Sequence, residues 1–455
     1  MPRPPNTPTV TLKWHYTLRK DGEGRITERQ ARLVVRGFTQ VKEVHYEDTW
    51  AMVARYESLR FVIAIAAYYG LNLWSGDFTT AYLNAKPQGV NYLNLPPGYE
   101  SQYDLRDRAE MTTELGNTIT VTYTDDVIGV SDTEEAKEVS VKEIGAAYDF
   151  RFYGEPDVTL GITIRRNPET GDVSIHQCPL IEKVIEGHGL QNAMPKFTPL
   201  PSNLTLIDSQ PIPIPLEDSD YMWSKDYRRL IGSLNYISQG TRPNILYAVT
   251  LLQRYANDPQ PMHWNAAIHV VTYLKSTISY QLTYQCHQGR EDLLKPDGYA
   301  DVSHADIQEE NGEPTRKSTM GYVFKVAGGV VSWCSAKQRV VALLTTGAEY
   351  IAMVNAGKQA IWMWKFLDGV GHHHEYPFAI KVNNTSAIAL SDEMTKHRQM
   401  KHFDTNWLWL QDMVHAKELK FNYVPSSDNL ADLFTKQLTQ SKTEQFSLEI
   451  GLRDN

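Results

Sequence analysis

Along residues 297–440 the apolar positions switch repeatedly between a spacing of two and a spacing of three to four. Alternation marks strands, and i, i+3, i+4 recurrence marks helices. The run 297–303 predicts a strand. MGYVFKVA (320–327) and VVSWCSA (330–336) predict two more, and Gly328-Gly329 between them is a hairpin signal. Helical spacing runs from about Thr346 to Leu367. FAIKVN (378–383) predicts a strand and a helix begins near Ser386; a further helix covers about 402–415, a strand 418–424, and a last helix 428–437. That order predicts a mixed sheet with helices on its faces.

Upstream the pattern is different. Residues 227–239, 244–256 and 264–277 carry apolar residues at helical spacing. They predict a packed helical connector over 220–285. Before it lies a proline-rich stretch, 196–219, with Pro199, Pro201, Pro211, Pro213 and Pro215. It reads as a linker. The polar break CHQGREDLLKPDG (286–298) separates the connector from the last part. Residues 1–195, 220–285 and 297–440 are thus three expected domains, within the range of ordinary domain sizes.

Composition narrows the class. The chain is 42% hydrophobic and 22% charged, as globular proteins are. Its net charge of −9 argues mildly against phosphate binding. Residues 1–60, however, hold 11 Lys+Arg against 7 Asp+Glu, a weakly basic start. Cys178, Cys286 and Cys334 are far apart and odd in number, which argues against a disulfide framework or a Cys-rich zinc site. The N-terminal MPRPPNTPTV lacks the apolar centre of a secretory signal, and no apolar run is long enough to span a bilayer. The expectation is a soluble intracellular protein, in cytoplasm or nucleus.

Three carboxylates fall where open sheets gather ligands. Asp301 lies on the first strand of the last part; Glu349 and Asp432 lie in the opening turns of two expected helices. Singly, an acid there does no more than complement the helix dipole. Together they suit hard cations such as Mg²⁺, which take oxygen ligands. The His372–His374 run reads as a surface tract, since three successive loop histidines do not share one face.

A second acidic group is YTDD. Ile119–Tyr123 before it and Val127–Val130 after it are β-rich, so Asp125 and Asp126 sit at a tight turn between two short strands. Upstream, LNLWSGDFTTAYLNA puts Asp77 at the end of an apolar strand. Phosphoryl transfer needs such a carboxylate pair on metal and little other covalent help.

The ordered motifs YRRLIGSLNYIS, TRPNILYAV, HWNAAIHVVTYLKST, YADVSHAD, RKSTMGYVF, VSWCSAKQ, AEYIAM, KHFDTNWLW and DNLADLFTK resemble the connection and RNase H region of copia-type retrotransposon Pol polyproteins. KWHYTLRKDGEG, ARLVVRGFTQ, YEDTWAMVARYESLR and YLNLPPGYE are similar to the polymerase part that precedes it. The resemblance implies a multidomain α/β and α+β protein: partial polymerase fingers and palm, a helical connection, and an RNase H-like mixed sheet with flanking helices. It implies RNA-directed DNA synthesis and cleavage of RNA in RNA–DNA hybrids. The partners it implies are an RNA template, a DNA primer and the hybrid, with no membrane. It also implies two-ion Mg²⁺ sites, with Asp77 and Asp125 as metal carboxylates beside Asp126 in the palm. In the RNase H part the metal carboxylates are Asp301, Glu349 and Asp432. Arg32 would face phosphate from the fingers. Tyr82 would sit at the incoming sugar, or else be a core aromatic. His402 would assist the RNase H site, or else cap its helix.

The departures from that pattern matter as much. The third RNase H carboxylate falls on Asn383, followed by Asn384, so a site for two divalent ions has lost a full charge. Gly347 breaks the long helix's start, His304 replaces an aromatic residue, and Gln30 replaces a lysine near the triphosphate. Between Glu100 and Tyr123 there are 22 residues, where the family carries several dozen more. The absent segment builds a palm helix that supports template and nascent pair. Its loss predicts exposed apolar sheet and a misfolded or inert polymerase. The expectation is a degenerate reverse transcriptase–RNase H with both activities impaired. The alternatives are a non-catalytic nucleic-acid-binding relic and a host-recruited RNase H-like module.

Overall fold

The computed structural model describes residues 12–20, 26–35, 55–79, 118–201, 226–286, 295–304, 308–310, 313–342, 344–369, 377–392 and 405–454; at 12–20, 26–35, 308–310, 313–315 and 405–406 it describes the backbone alone. Mixed helix and sheet make up a multidomain α/β and α+β architecture, as expected.

The first elements are an antiparallel pair, β1 (Leu12–Lys20) and β2 (Ile26–Val35). Helix α1 (Tyr56–Tyr69) follows. Every residue from Ser58 to Tyr68 is buried, so it is covered on all sides, as an evenly apolar sequence demands. Next come β3 (Asn72–Phe78), β4 (Thr118–Tyr123), β5 (Asp126–Ser131), α2 (Glu134–Ala147) and β6 (Phe150–Gly154). The strands form one antiparallel sheet in the order β4-β5-β3-β6. This half, where the sequence predicted a misfolded or inert polymerase, thus contains a four-stranded sheet. Thr133 caps α2 by accepting from the Ala136 amide, and α2 buries only Ala136. Phe152 and Tyr153 lie exposed on β6, so apolar surface is left open there.

Then come β7 (Val158–Thr159), β8 (Ile162–Arg166), β9 (Val173–His176) and α3 (Cys178–Gly187). The helical stretch holds α4 (Tyr227–Gly240), a 3₁₀ turn at Pro243–Ile245, α5 (Leu246–Gln253) and α6 (Pro261–Ser276), which share a core with α3. It ends in a strand that the helical periodicity did not announce, β10 (Tyr280–Tyr284). This strand pairs with β9 on one side and, on the other, with a strand at the far C-terminus, Leu452–Asp454. A single sheet thus draws strands from before the proline-rich stretch, from after it and from the chain's end.

The last part contains β11 (Asp297–Ser303), a small pair β12 (Gln308–Glu310) and β13 (Glu313–Thr315), β14 (Thr319–Val326), β15 (Gly329–Lys337), α7 (Thr345–Gly369), β16 (Phe378–Val382), α8 (Thr385–Asp392), α9 (Thr405–His415) and β17 (Leu419–Tyr423). Its sheet order is β15-β14-β11-β16-β17, antiparallel on the first side and parallel on the second. The turn between β14 and β15 is Ala327-Gly328, both at positive φ, and Gly329 already begins β15. The expected helix at 428–437 is instead two 3₁₀ turns, Ser426–Asp428 and Leu430–Phe434. The segment between Pro425 and the buried Phe434 is interrupted at Asn429, whose side chain bridges to the sheet and to the Ala431 amide. Helix α10 (Gln440–Glu449) and β18 (Leu452–Asp454) close the chain. One apolar cluster runs from α1 through the middle sheet into the C-terminal sheet. Among the described residues no helix is long and apolar enough to cross a membrane.

Candidate active sites

The N-terminal candidate carboxylates owe their positions to strand register. Asp77 and Asp126 are direct partners across β3 and β5, so both side chains leave the sheet on one face. Thr124 at φ 61 makes the tight turn with Asp125, and Asp125 is tied to β3 through its carbonyl, which accepts from the Phe78 amide at 2.8 Å. All three acids are therefore brought together. Burial first, then the charges of Asp125 and Asp77, push the Asp126 carboxyl above its ordinary range. Below them the β5 backbone passes over Trp74. A Cβ on Gly129 would lie 2.1 Å from that indole, so only glycine fits. Trp74 Nε1 donates to Ser131 Oγ at 3.1 Å, which fixes the ring. On the other side Asp77 is opposite Arg151 of β6, a cation the sequence pattern did not single out. Arg32 lies on β2 opposite His15, with its side chain undescribed. Tyr82, His402 and His372–His374 lie outside the described residues.

The C-terminal site is more enclosed. Asp301, in the middle of the sheet on β11, is 1% exposed; Glu349 and Asp432 are buried beside it. Glu349 is the fifth residue of α7, within a residue of where the expected start near Thr346 puts it. The segment carrying Asp432 reaches the sheet because Gly321, the partner of Asp301 on β14, has no side chain. A Cβ there would meet Phe434 Cβ at 2.7 Å and Thr435 Cγ2 at 2.9 Å. Buried Asn429 anchors the same segment: its Nδ2 donates to Ala300 O at 3.0 Å and its Oδ1 accepts from the Ala431 amide.

Both oxygens of Asp301 are engaged by donors. Asn383 Nδ2 donates to Oδ1 at 3.1 Å, and Thr435 Oγ1 donates to Oδ2. Lys436 Nζ lies 3.5 Å from Asp301 Oδ2 and 2.9 Å from Asp432 Oδ1. The shorter contact is an ion pair by distance. Asn383 also donates to Ser426 Oγ at 3.1 Å. Burial, then the Asp301 charge, push the Glu349 carboxyl up to about 8. Burial and Asp301 likewise raise Asp432. Glu349 Oε2 and Asn383 Oδ1 are buried without a hydrogen-bond partner among the described residues. Thr435 and Lys436 escaped sequence reasoning, although they directly follow the acidic segment. Among the described residues no three His, Cys, Asp or Glu side chains gather closely enough to hold a metal ion. The residues as arranged therefore do not fit a two-Mg²⁺ site: an ammonium and two neutral donors stand where cations would.

Residues 1–115 match the family described as reverse transcriptase (RNA-dependent DNA polymerase). The Pol polyprotein of transposon TNT 1-94 from Nicotiana tabacum is 29% identical over 487 residues, covering 98% of this chain and 36% of that polyprotein. That of transposon RE2 from Arabidopsis thaliana is 25% identical and covers 99% of this chain and 32% of its own length. Over nearly its whole length the chain is similar to retrotransposon Pol polyproteins. It spans about a third of the length of these relatives. The tobacco alignment is 487 positions long while 98% of this chain is about 446 residues, so about 40 positions of that polyprotein have no counterpart here. Among solved structures, the foamy viral protease-reverse transcriptase in complex with an RNA/DNA hybrid is similar at a TM-score of 0.45 and 11% identity, over 95% of this chain and 52% of that one.

Proposed function

We propose that this chain is a degenerate reverse transcriptase–RNase H segment, able to engage nucleic acid but impaired in both family reactions, RNA-directed DNA synthesis and cleavage of RNA in RNA–DNA hybrids. Reverse transcriptase and RNase H families work through divalent metals, and Mg²⁺ is the ion the resemblance implies for the acids of this chain. The partners proposed are an RNA template, a DNA primer and the hybrid. The units are fingers and palm over 1–195, a linker over 196–219, the connection over 220–285 and the RNase H-like domain over 297–440.

One observation carries the reading: the Asn383 amide donates to Asp301 at the position where the family places a carboxylate. A carboxylate there would repel Asp301 and demand a cation between them. The amide instead satisfies Asp301 and removes that demand. For the palm, Asp77, Asp125 and Asp126 are the acids assigned to the polymerase. The unmatched stretch of about 40 positions accords with a segment missing between Glu100 and Tyr123, where primer support would be built.

Hybrid cleavage by wild type beside Asn383→Asp tests the nuclease. The expected result is no cutting by wild type; cutting that appears on reversion identifies the amide as the defect. Metal-dependent cutting by wild type refutes the reading. Primer extension on an RNA template that is lost in Asp125→Asn would refute it for the palm.

A further inference from the structure

We propose that Lys436 is the resident cation of the C-terminal acidic site: its ammonium holds Asp301 and Asp432 together in the metal-free protein, and a divalent ion enters only by displacing it. This rests on the reading of those acids as the RNase H-type site.

The placement of Lys436 is built into the fold. Asp432 O accepts from the amides of both Thr435 and Lys436, each at 3.2 Å, which curls the chain so that the lysine returns beside the acid four residues before it. Asn429 ties this turn to β11, and the bare Gly321 lets it lie flat on the sheet. The consequence is a cation within ion-pair distance of two buried carboxylates on different elements. The arrangement closes around Asp301: one oxygen accepts from an amide, the other from a hydroxyl, with the ammonium alongside. Two carboxylates so near each other, both out of water, need a positive charge. The protein supplies it from its own chain.

The same lysine can leave. Its side chain is 38% exposed, against 1% for Asp301. A flexible four-carbon stem allows the ammonium to swing to solvent with no change in backbone. Retraction would free oxygens of Asp301 and Asp432 toward a cation.

Mn²⁺ binding, followed by the paramagnetic signal of the free ion, tests this on the full chain. Lys436→Met and the polar Lys436→Gln are expected to bind Mn²⁺ about tenfold more tightly than wild type, as loss of one competing charge implies. In EDTA they melt several degrees lower, and millimolar MgCl₂ restores them while leaving wild type unmoved. A merely structural lysine would lower melting equally with and without metal. Lys436→Arg keeps the charge and behaves as wild type. Equal Mn²⁺ affinity in wild type and the neutral variants overturns the proposal, as does unchanged melting in EDTA. Reductive methylation of wild type, read at Lys436 by mass spectrometry, needs no folded variant. Labelling is slow in EDTA and rises with MnCl₂, whereas labelling indifferent to metal overturns the proposal. None of these measurements uses cleavage. Hybrid cutting by wild type would refute impairment while metal competition still decides the role of the lysine.

Discussion

Arg60 of α1 lies over Trp333 of β15, its guanidinium carbon 3.7 Å from the indole centroid. Arg60 is 2% exposed and its partners are main-chain carbonyls. Nε donates to Val331 O at 2.8 Å and Nη1 to Gln239 O at 2.6 Å. Gln239 and Gly240 end α4, so the charge meets the negative pole of a helix. Trp333 Nε1 donates to Ser238 O at 3.1 Å, in the same last turn. Helix α1, helix α4 and the C-terminal sheet thus meet at one buried cation.

Arg60→Met is expected to destabilise the whole chain by on the order of 3 kcal/mol, because it leaves those carbonyls buried and unpaired. Urea unfolding read by Trp fluorescence measures it. A fragment starting at residue 226 should expose the apolar surface that α1 covers and bind a hydrophobic dye. A fragment as stable as the full chain would instead favour a free-standing RNase H-like module.

Gly129→Ala should cost about 1–3 kcal/mol by forcing Trp74 from its place beneath β5. Near-UV circular dichroism should lose the Trp74 contribution. Gly145→Ala on α2 meets nothing within 4 Å and should stabilise by about 0.5–1 kcal/mol. Equal effects at the two glycines would show that the sheet of β3 to β6 does not pack as described.

Glu349 is held protonated by burial up to about pH 8, from an ordinary value of 4.5. The folded state binds this proton more tightly than the unfolded chain. Its contribution to stability is therefore complete below pH 4.5 and is lost as pH rises through about 8. In EDTA, wild type should lose melting temperature across that window. Glu349→Gln should flatten the profile there. A wild-type profile that rises between pH 5 and 8 in step with Glu349→Gln would contradict the burial effect.

Binding to an RNA–DNA hybrid should be driven by phosphate contacts, given the absence of a built metal cradle among the described residues. Affinity should fall about tenfold or more between roughly 50 and 200 mM NaCl. Fluorescence anisotropy across a salt series checks this. A flat response would remove the nucleic-acid-binding reading.

Much of the fold was legible because its periodicities are local. β11, β14, β15, α7, β16, α8 and β17 lie within a few residues of where alternation and helical spacing put them. The candidate acids were legible too, since Asp301, Glu349 and Asp432 sit in ordered motifs and YTDD sits between two β-rich runs. What failed was the segment after Asn429, where tertiary anchoring replaced a helix with 3₁₀ turns, and β10, whose partners are more than a hundred residues away.

The sequence by itself determined the elements and the identity of the acids, and by resemblance it put Asn383 where a carboxylate is expected, because each depends on residue type and near neighbours. Only the tertiary structure decided what that loss does. The Asn383 amide faces Asp301, Lys436 returns to the same acids, and Arg60 joins α1 to β15, all through contacts between distant segments. Charge compensation depends on separation in space, and burial magnifies it, so no reading along the chain could place the ammonium between the two carboxylates.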